Sequence, residues 1–393
     1  MKYDFETIVR RGENNLKYQW TPEPVREAGY ASFDAAEMDF PTAPSIIRSV
    51  TEMVQEGNFG FSQMTPAYQE RVVWWMAHAR DWEIRPEWIV PVMGTIFSVA
   101  TAIRMCTKPG EGIIVPAPGY NRYAQAASRL GRKTAVSPMK EIDGRYEMDF
   151  AELERLMAQE ENKLFLLCNP HNPTGRVWTE TELTELARLS SRYGVYVFSD
   201  EIFAEVTYDG RRTIPYCEIP EGREFAIVCT SLGKTFNFTG VNHANILIPD
   251  ETLRERFTTQ RTADHYGSLE PFAYASIMGA YTEEGLDWVK EMLQCVGENR
   301  RLATEFFARP DAPGYLFPVE GSYVGWIRWD GLELSGAALK EFLDQEALLA
   351  LEIGTEFGEP YDRYTRMSLG STVKQTELAL ERLKAACDRK NRR

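Results

Sequence analysis

Short, mostly apolar runs alternate with helical periodicity through the middle of the chain. Residues 89–92, 112–115, 133–136, 164–168, 195–199, 225–229 and 245–248 are predicted strands. Between them lie segments such as 181–193, where Leu183, Leu186 and Leu189 recur at helical spacing. Strands apolar on both faces that alternate with helices imply an α/β fold: a mostly parallel seven-stranded sheet covered on two sides. After about residue 275 the pattern changes to a long helix (283 to about 307), a hairpin-like pair (315–319 and 323–329) around Glu320, Gly321 and Ser322, and a final strand near 364–369. The expected organisation is an N-terminal arm (1–45) that completes a small domain, a large domain (46–275), and a C-terminal part of the small α+β domain (276–393). No internal repeat interrupts it.

At 393 residues the chain is long enough for two lobes with a large core. A formal charge of −14 argues against a nucleic-acid partner, which selects a basic face. The six cysteines (Cys106, Cys168, Cys217, Cys229, Cys295, Cys387) include no C-x-x-C pair, and the four histidines (His78, His171, His243, His265) lack metal-ligand spacing. Asp4 and Glu6 stand where a signal peptide needs apolar residues, and no apolar run approaches the roughly 20 residues that span a bilayer. A cytoplasmic protein with no membrane or metal partner is expected.

The chemistry concentrates at predicted strand ends, where ligands of such sheets bind. Lys234, in the run from Ser231 to Asn237, follows the strand 225–229. Its Gly233-Lys234-Thr235 resembles the end of a phosphate-binding P-loop, but that motif needs a glycine where Val228 stands. Asp200 closes another strand; such a residue is often a helix cap, yet it would also keep a pyridine nitrogen protonated. Asn172 lies in a loop with two Asn-Pro steps (Asn169-Pro170, Asn172-Pro173), which is an ordinary strand-to-helix turn or a place for an amide donor. Lysine, aspartate and asparagine delivered by three strand ends are what pyridoxal phosphate (PLP) needs: an amine for its aldehyde, a carboxylate for its ring nitrogen and a donor for its phenolic oxygen.

Further candidates fit around these three. Gly94, Thr95 and Ile96 precede an apolar helix whose backbone N–H groups would take the phosphate, and the Ser231 hydroxyl would join them. Tyr120, past strand 112–115, is placed to stack on a flat ring. Arg366 interrupts an apolar strand, either in a buried ion pair or as a bidentate clamp on an α-carboxylate. Phe40, Phe61, Tyr323 and Trp326 suggest a partly apolar substrate neighbourhood. Glu201 reads as structural. No G-x-S-x-G elbow supports a serine hydrolase.

The chain resembles fold-type I PLP enzymes of the aspartate aminotransferase superfamily, and within them the PatB/MalY group of cystathionine β-lyases. The resemblance is carried by the run from Cys168 to Trp178, by Ala36 to Phe40, Ser199 to Ile202, Lys234 to Asn237, and Phe357-Gly358 ahead of Arg366. It implies Lys234 as the Schiff-base lysine, Asp200 on the pyridine nitrogen, Asn172 on the phenolic oxygen, Tyr120 on the ring and Arg366 on the substrate carboxylate. It also implies a homodimer with shared active sites. Several positions depart from the group. Phe203 replaces a His or Tyr that reaches the phenolic oxygen, Phe61 replaces a Tyr that crosses the dimer to the phosphate, Glu37 replaces an Asp, and Tyr361 and Arg363 replace glycines.

These residues are compatible with three activities. The first is a carbon–sulfur β-lyase acting on L-cystathionine or related S-substituted cysteines. The others are an aminotransferase of an L-amino acid and a non-catalytic regulatory homologue.

Overall fold

Seven strands carry the molecule: β1 (Ile89–Val92), β2 (Gly112–Ala117), β3 (Lys133–Pro138), β4 (Asn162–Cys168), β5 (Tyr196–Asp200), β6 (Ala226–Thr230) and β7 (Ala244–Leu247). The computed structural model describes residues 1–9, 12–29, 32–266 and 269–392. The strand order is β1-β7-β6-β5-β4-β2-β3. The pairs from β6 through to β3 are parallel, and β7 runs antiparallel to both β6 and β1.

Successive side chains leave a strand on opposite faces, so each apolar run supplies two cores. Ile113, Leu166, Phe198 and Ile227 pack on one face, and Ile114, Leu167, Val197 and Val228 on the other. The helices that bear on the site are α1 (Pro66–Arg80), α2 (Thr95–Cys106), α3 (Asn121–Arg129), α4 (Glu180–Tyr193), α5 (Leu232–Thr235) and α6 (Glu283–Phe307). Helix α4 shows how local sequence sets its bounds. Thr179 and Glu182 form a reciprocal capping box, and Gly194 ends the helix at φ 65°. Its Leu183, Leu186 and Leu189 are buried, each contributing roughly 1.5–3 kcal/mol.

A second, antiparallel sheet contains β8 (Tyr315–Leu316), β9 (Val324–Arg328), β10 (Glu352–Ile353) and β11 (Tyr364–Ser368), in the order β8-β9-β11-β10. The N-terminal arm joins it: Phe33 N–H donates to Ala350 O, Ser368 N–H to Phe33 O, and Asp39 N–H to Gly370 O. A buried ion pair, Lys17 Nζ to Asp39 Oδ1 at 2.8 Å, fixes the arm further.

The expected hairpin is present but shortened to two pairs, Tyr315 with Arg328 and Leu316 with Ile327. The intervening turn docks on the loops that follow β4 and β5 instead of extending the ladder. The Glu320 and Gly321 N–H groups both donate to Gly175 O, and Ser322 N–H donates to Val206 O. A Cβ on Gly321 would stand 2.7 Å from Pro170 and Val177 side-chain atoms, so only glycine permits this approach. A small hairpin, Lys140–Ile142 with Arg145–Glu147, was not anticipated. Four of its six residues are charged and Lys140–Ile142 are exposed, and its signal was the Asp143-Gly144 turn, with both φ values positive.

Candidate active site

A cavity of about 910 Å3 opens at the carboxyl ends of β4, β5 and β6. Lys234, Asp200, Asn172, Arg366, Tyr120, Phe203, Ser231 and the turn Gly94-Thr95-Ile96 all line it. Strand register explains the convergence. Cys168 lies opposite Asp200, Asp200 opposite Cys229, and Ser231 directly follows β6, so three adjacent strand ends deliver the loop of Asn172, the carboxylate and the lysine turn together.

Lys234 sits on the single turn of α5, which Ser231 caps by accepting from Gly233 N–H. Its amine donates to Ala36 O at 2.8 Å and lies 5.9 Å from the Phe203 ring centre. Burial pushes its pKa down to about 8, with Arg366 adding to the effect and Glu37 and Asp200 opposing it. About a tenth is therefore the neutral nucleophile at pH 7, far more than for an ordinary lysine.

Asp200 is buried, and burial pushes its carboxyl up to about 6. Hydrogen bonds from the Tyr123 hydroxyl (2.5 Å, to Oδ2) and the Ile202 N–H (3.3 Å, to Oδ1) pull it back toward the ionised form. Asn172 accepts from Arg366 Nη1 at 3.0 Å through Oδ1, which leaves its amide N–H groups to face a ligand acceptor. Arg366 is held by three groups: Asn172, Asp34 O at 3.1 Å, and an ion pair with Glu352. Both readings of this arginine are present, since it is ion-paired and also faces the cavity.

The twelve-residue helix α2 begins at Gly94, at φ 86°, with no side-chain cap on its first N–H groups. An uncapped helix start aimed into a cavity is an anion seat. Ser231 Oγ, beside it, donates to His243 O at 2.8 Å. Burial lowers His243 to about 4, so it is neutral there. Tyr120 meets Tyr123 edge-on at 5.5 Å. An amine, a buried carboxylate, an amide donor, an aromatic ring and an anion seat in one cavity fit PLP at each of its functional groups.

Four expected residues do not line the cavity. Phe40 packs against Phe5 and Trp288 in the core, held there because its own carbonyl ties the arm to Asn237 Nδ2. Tyr323 is fully buried, its hydroxyl donating to Ala36 O at 3.2 Å and its ring meeting Phe203. Phe61 is fully exposed on the chain surface. Trp326 likewise stacks on Tyr364 in the small sheet's core.

Residues that the sequence reading passed over complete the site. Tyr123 and Glu352 touch the two charged residues that matter most, and Asp34, Glu356 and Arg122 share the walls. Glu352 carries a readable signal, a lone acid in the apolar run from Leu348 to Ile353. Glu201 is structural as expected: it pairs with buried Arg80 of α1 and accepts from Ser199 Oγ and Tyr216 N–H. Among the described residues no cluster has metal-binding composition, and no helix is long and apolar enough to cross a membrane.

Comparison with known proteins places this geometry. Cystathionine beta-lyase PatB of Bacillus subtilis strain 168 is 29% identical over 378 residues, covering 96% of this chain and 97% of that protein. Protein MalY of Escherichia coli K12 is 27% identical, covering 94% of each. The crystal structure of cystalysin from Treponema denticola, which contains a pyridoxal 5'-phosphate cofactor, superposes with a TM-score of 0.92 at 29% identity, over 98% of this chain and 99% of that one. Residues 28–383 match the family aminotransferase class I and II. The chain therefore belongs to the aminotransferase class I and II family, with the α/β architecture of fold-type I PLP enzymes.

Proposed function

We propose that this protein is a PLP-dependent carbon–sulfur β-lyase that converts an S-substituted L-cysteine, L-cystathionine among them, to a thiol, pyruvate and ammonia. The observation that carries the reading is the meeting of Lys234, Asp200 and the Asn172–Arg366 pair in one cavity. The PatB relative, which spans nearly the whole chain, supports the reaction type.

When bound, PLP supplies an electron sink for negative charge at the substrate Cα. The chain's residues do the rest. Arg366 takes the α-carboxylate, and Asn172 holds Arg366 in place while its N–H groups face the cofactor's phenolic oxygen. Asp200, ionised at neutral pH, keeps the facing ring nitrogen protonated. Lys234, lowered to about 8, has a neutral amine to take the Cα proton. The helix start at Gly94, with Ser231, seats the phosphate. Tyr120 covers one face of the ring. Phe203 presents no polar atom where relatives of this type are expected to place one, so the phenolic oxygen depends on Asn172.

A homodimer belongs to this reading. Phe59 and Phe272, both exposed, stack at 6.1 Å near fully exposed Phe61, an apolar surface suited to a second copy.

The aminotransferase activity of the family name is the second reading, because the Lys234 amine that takes the Cα proton would serve a transamination as well as the departure of a thiolate from the substrate's Cβ. The deciding experiment incubates PLP-saturated protein with L-cystathionine and a panel of S-substituted cysteines. Pyruvate and thiol in equal, catalytic amounts are expected. Conversion to the pyridoxamine form without thiol release would overturn the lyase in favour of the aminotransferase.

A further inference from the structure

We propose that Glu352 is an internal stand-in for the substrate carboxylate: it occupies Arg366 when no amino acid is bound and is displaced when one enters. The inference rests on the reading of Arg366 as the carboxylate clamp. Glu352 and Arg366 face each other across β10 and β11 and form an ion pair at the cavity wall. The guanidinium thus already carries a carboxylate at the place where the substrate must put its own.

The two partners are not equally fixed. Arg366 has a side chain only 5% exposed, bonded to Asn172 Oδ1 and Asp34 O and lying over the Phe357 ring at 5.1 Å. Glu352 is 29% exposed, and its two-residue strand β10 is the edge of the small sheet, paired only with β11. Among the described residues no hydrogen bond other than the ion pair holds its carboxylate, and burial first, then Asp34 and Glu356 nearby, disfavour its charge while Arg366 favours it. The arginine is therefore the fixed element and the glutamate the movable one. A clamp that is never left bare keeps a cation on the cavity wall paired between turnovers, and every substrate must compete with Glu352 for it. Glu352 then sets how tightly amino acids bind without touching the reacting atoms.

The test titrates holoenzyme with L-alanine, which has no sulfur to lose, and follows the cofactor absorbance to obtain Kd. Glu352→Gln, close to isosteric, should lower Kd about fivefold, the release from one partly exposed ion pair. Glu352→Ala should lower it as well, and with L-cystathionine the gain should appear in KM with kcat within about twofold of wild type. Unchanged or raised Kd in both variants, with circular dichroism matching wild type, overturns the inference, since an acid that merely orients Arg366 would weaken binding when lost. Arg366→Lys separates the underlying reading: it should raise Kd, and if Kd is unmoved Arg366 is not the clamp and both statements fall.

Discussion

The hydroxyl of Tyr123 donates a 2.5 Å hydrogen bond to Oδ2 of Asp200 in the cavity wall, from outside the set of residues that the sequence singled out. A charge-assisted bond of this kind contributes roughly 1.5–3 kcal/mol to the ionised carboxylate. Tyr123→Phe removes it, so the Asp200 pKa should rise from its already elevated value near 6. The acid limb of kcat/KM against pH should move up by about one unit, and activity at pH 6 should fall more than activity at pH 8. An unshifted limb would show that Asp200 does not govern it.

Lys234 gives a stability prediction with a definite sign. Its folded pKa, about 8, lies below the ordinary lysine value of 10.5, so the folded state opposes the charged amine. That cost is fully present below pH 8 and fades as the pH rises toward 10.5. In cofactor-free protein Lys234→Met should therefore raise stability at pH 7 by roughly 1–2 kcal/mol, after deducting the lost bond to Ala36 O and the side chain's partial exposure. Urea unfolding at pH 7 and pH 10.5 checks this, and the advantage should shrink at the higher pH. The same variant should abolish turnover with its circular dichroism unchanged.

Phe203 sits under Lys234 and edge-on to Tyr323. Phe203→His places a ring nitrogen there, and the pH midpoint of the bound cofactor's absorbance should shift by about half a unit or more. A midpoint identical to wild type would mean that position 203 does not reach the cofactor's polar edge.

Glu201 tests the framework independently of the chemistry. Both it and Arg80 are buried, and Glu201→Gln leaves the guanidinium without a counter-charge, at a cost of about 3–5 kcal/mol. A fall in Tm of well over about 5 °C is expected, with cofactor affinity much less affected. A Tm close to wild type would show that water or Glu205 compensates Arg80.

Six of the seven strands were legible because each is a short apolar run covered on both faces, whereas β3, at the sheet edge, is largely uncovered. The convergence of the candidate set in one cavity was legible because residue type and strand-end placement coincide at Lys234, Asp200 and Asn172. Arg366 stood out as a charge in an apolar strand. Phe40 and Tyr323 misled for one reason: an aromatic near a functional motif serves the core as readily as a pocket, and only packing separates the two. Tyr123 was invisible because it is one tyrosine among 18, and its partner lies 77 residues away. Phe61, fully exposed here, has a place only in the proposed homodimer and not in the cavity of one chain.

Asn237 stands at φ 53°, three residues past Lys234, and its side chain grips the N-terminal arm twice over. Its Oδ1 accepts from Met38 N–H, and its Nδ2 donates to both Met38 O and Phe40 O. With Lys234 Nζ bonded to Ala36 O, the segment from Ala36 to Phe40 is splinted along the lysine turn. The same segment is pinned to the small sheet through Asp39 and Gly370. Any tilt of the small lobe that carries Arg366 is thus passed through five residues of arm to the base of Lys234. Arg366 and Lys234, the proposed anchor and the proposed reactive amine, share one lever.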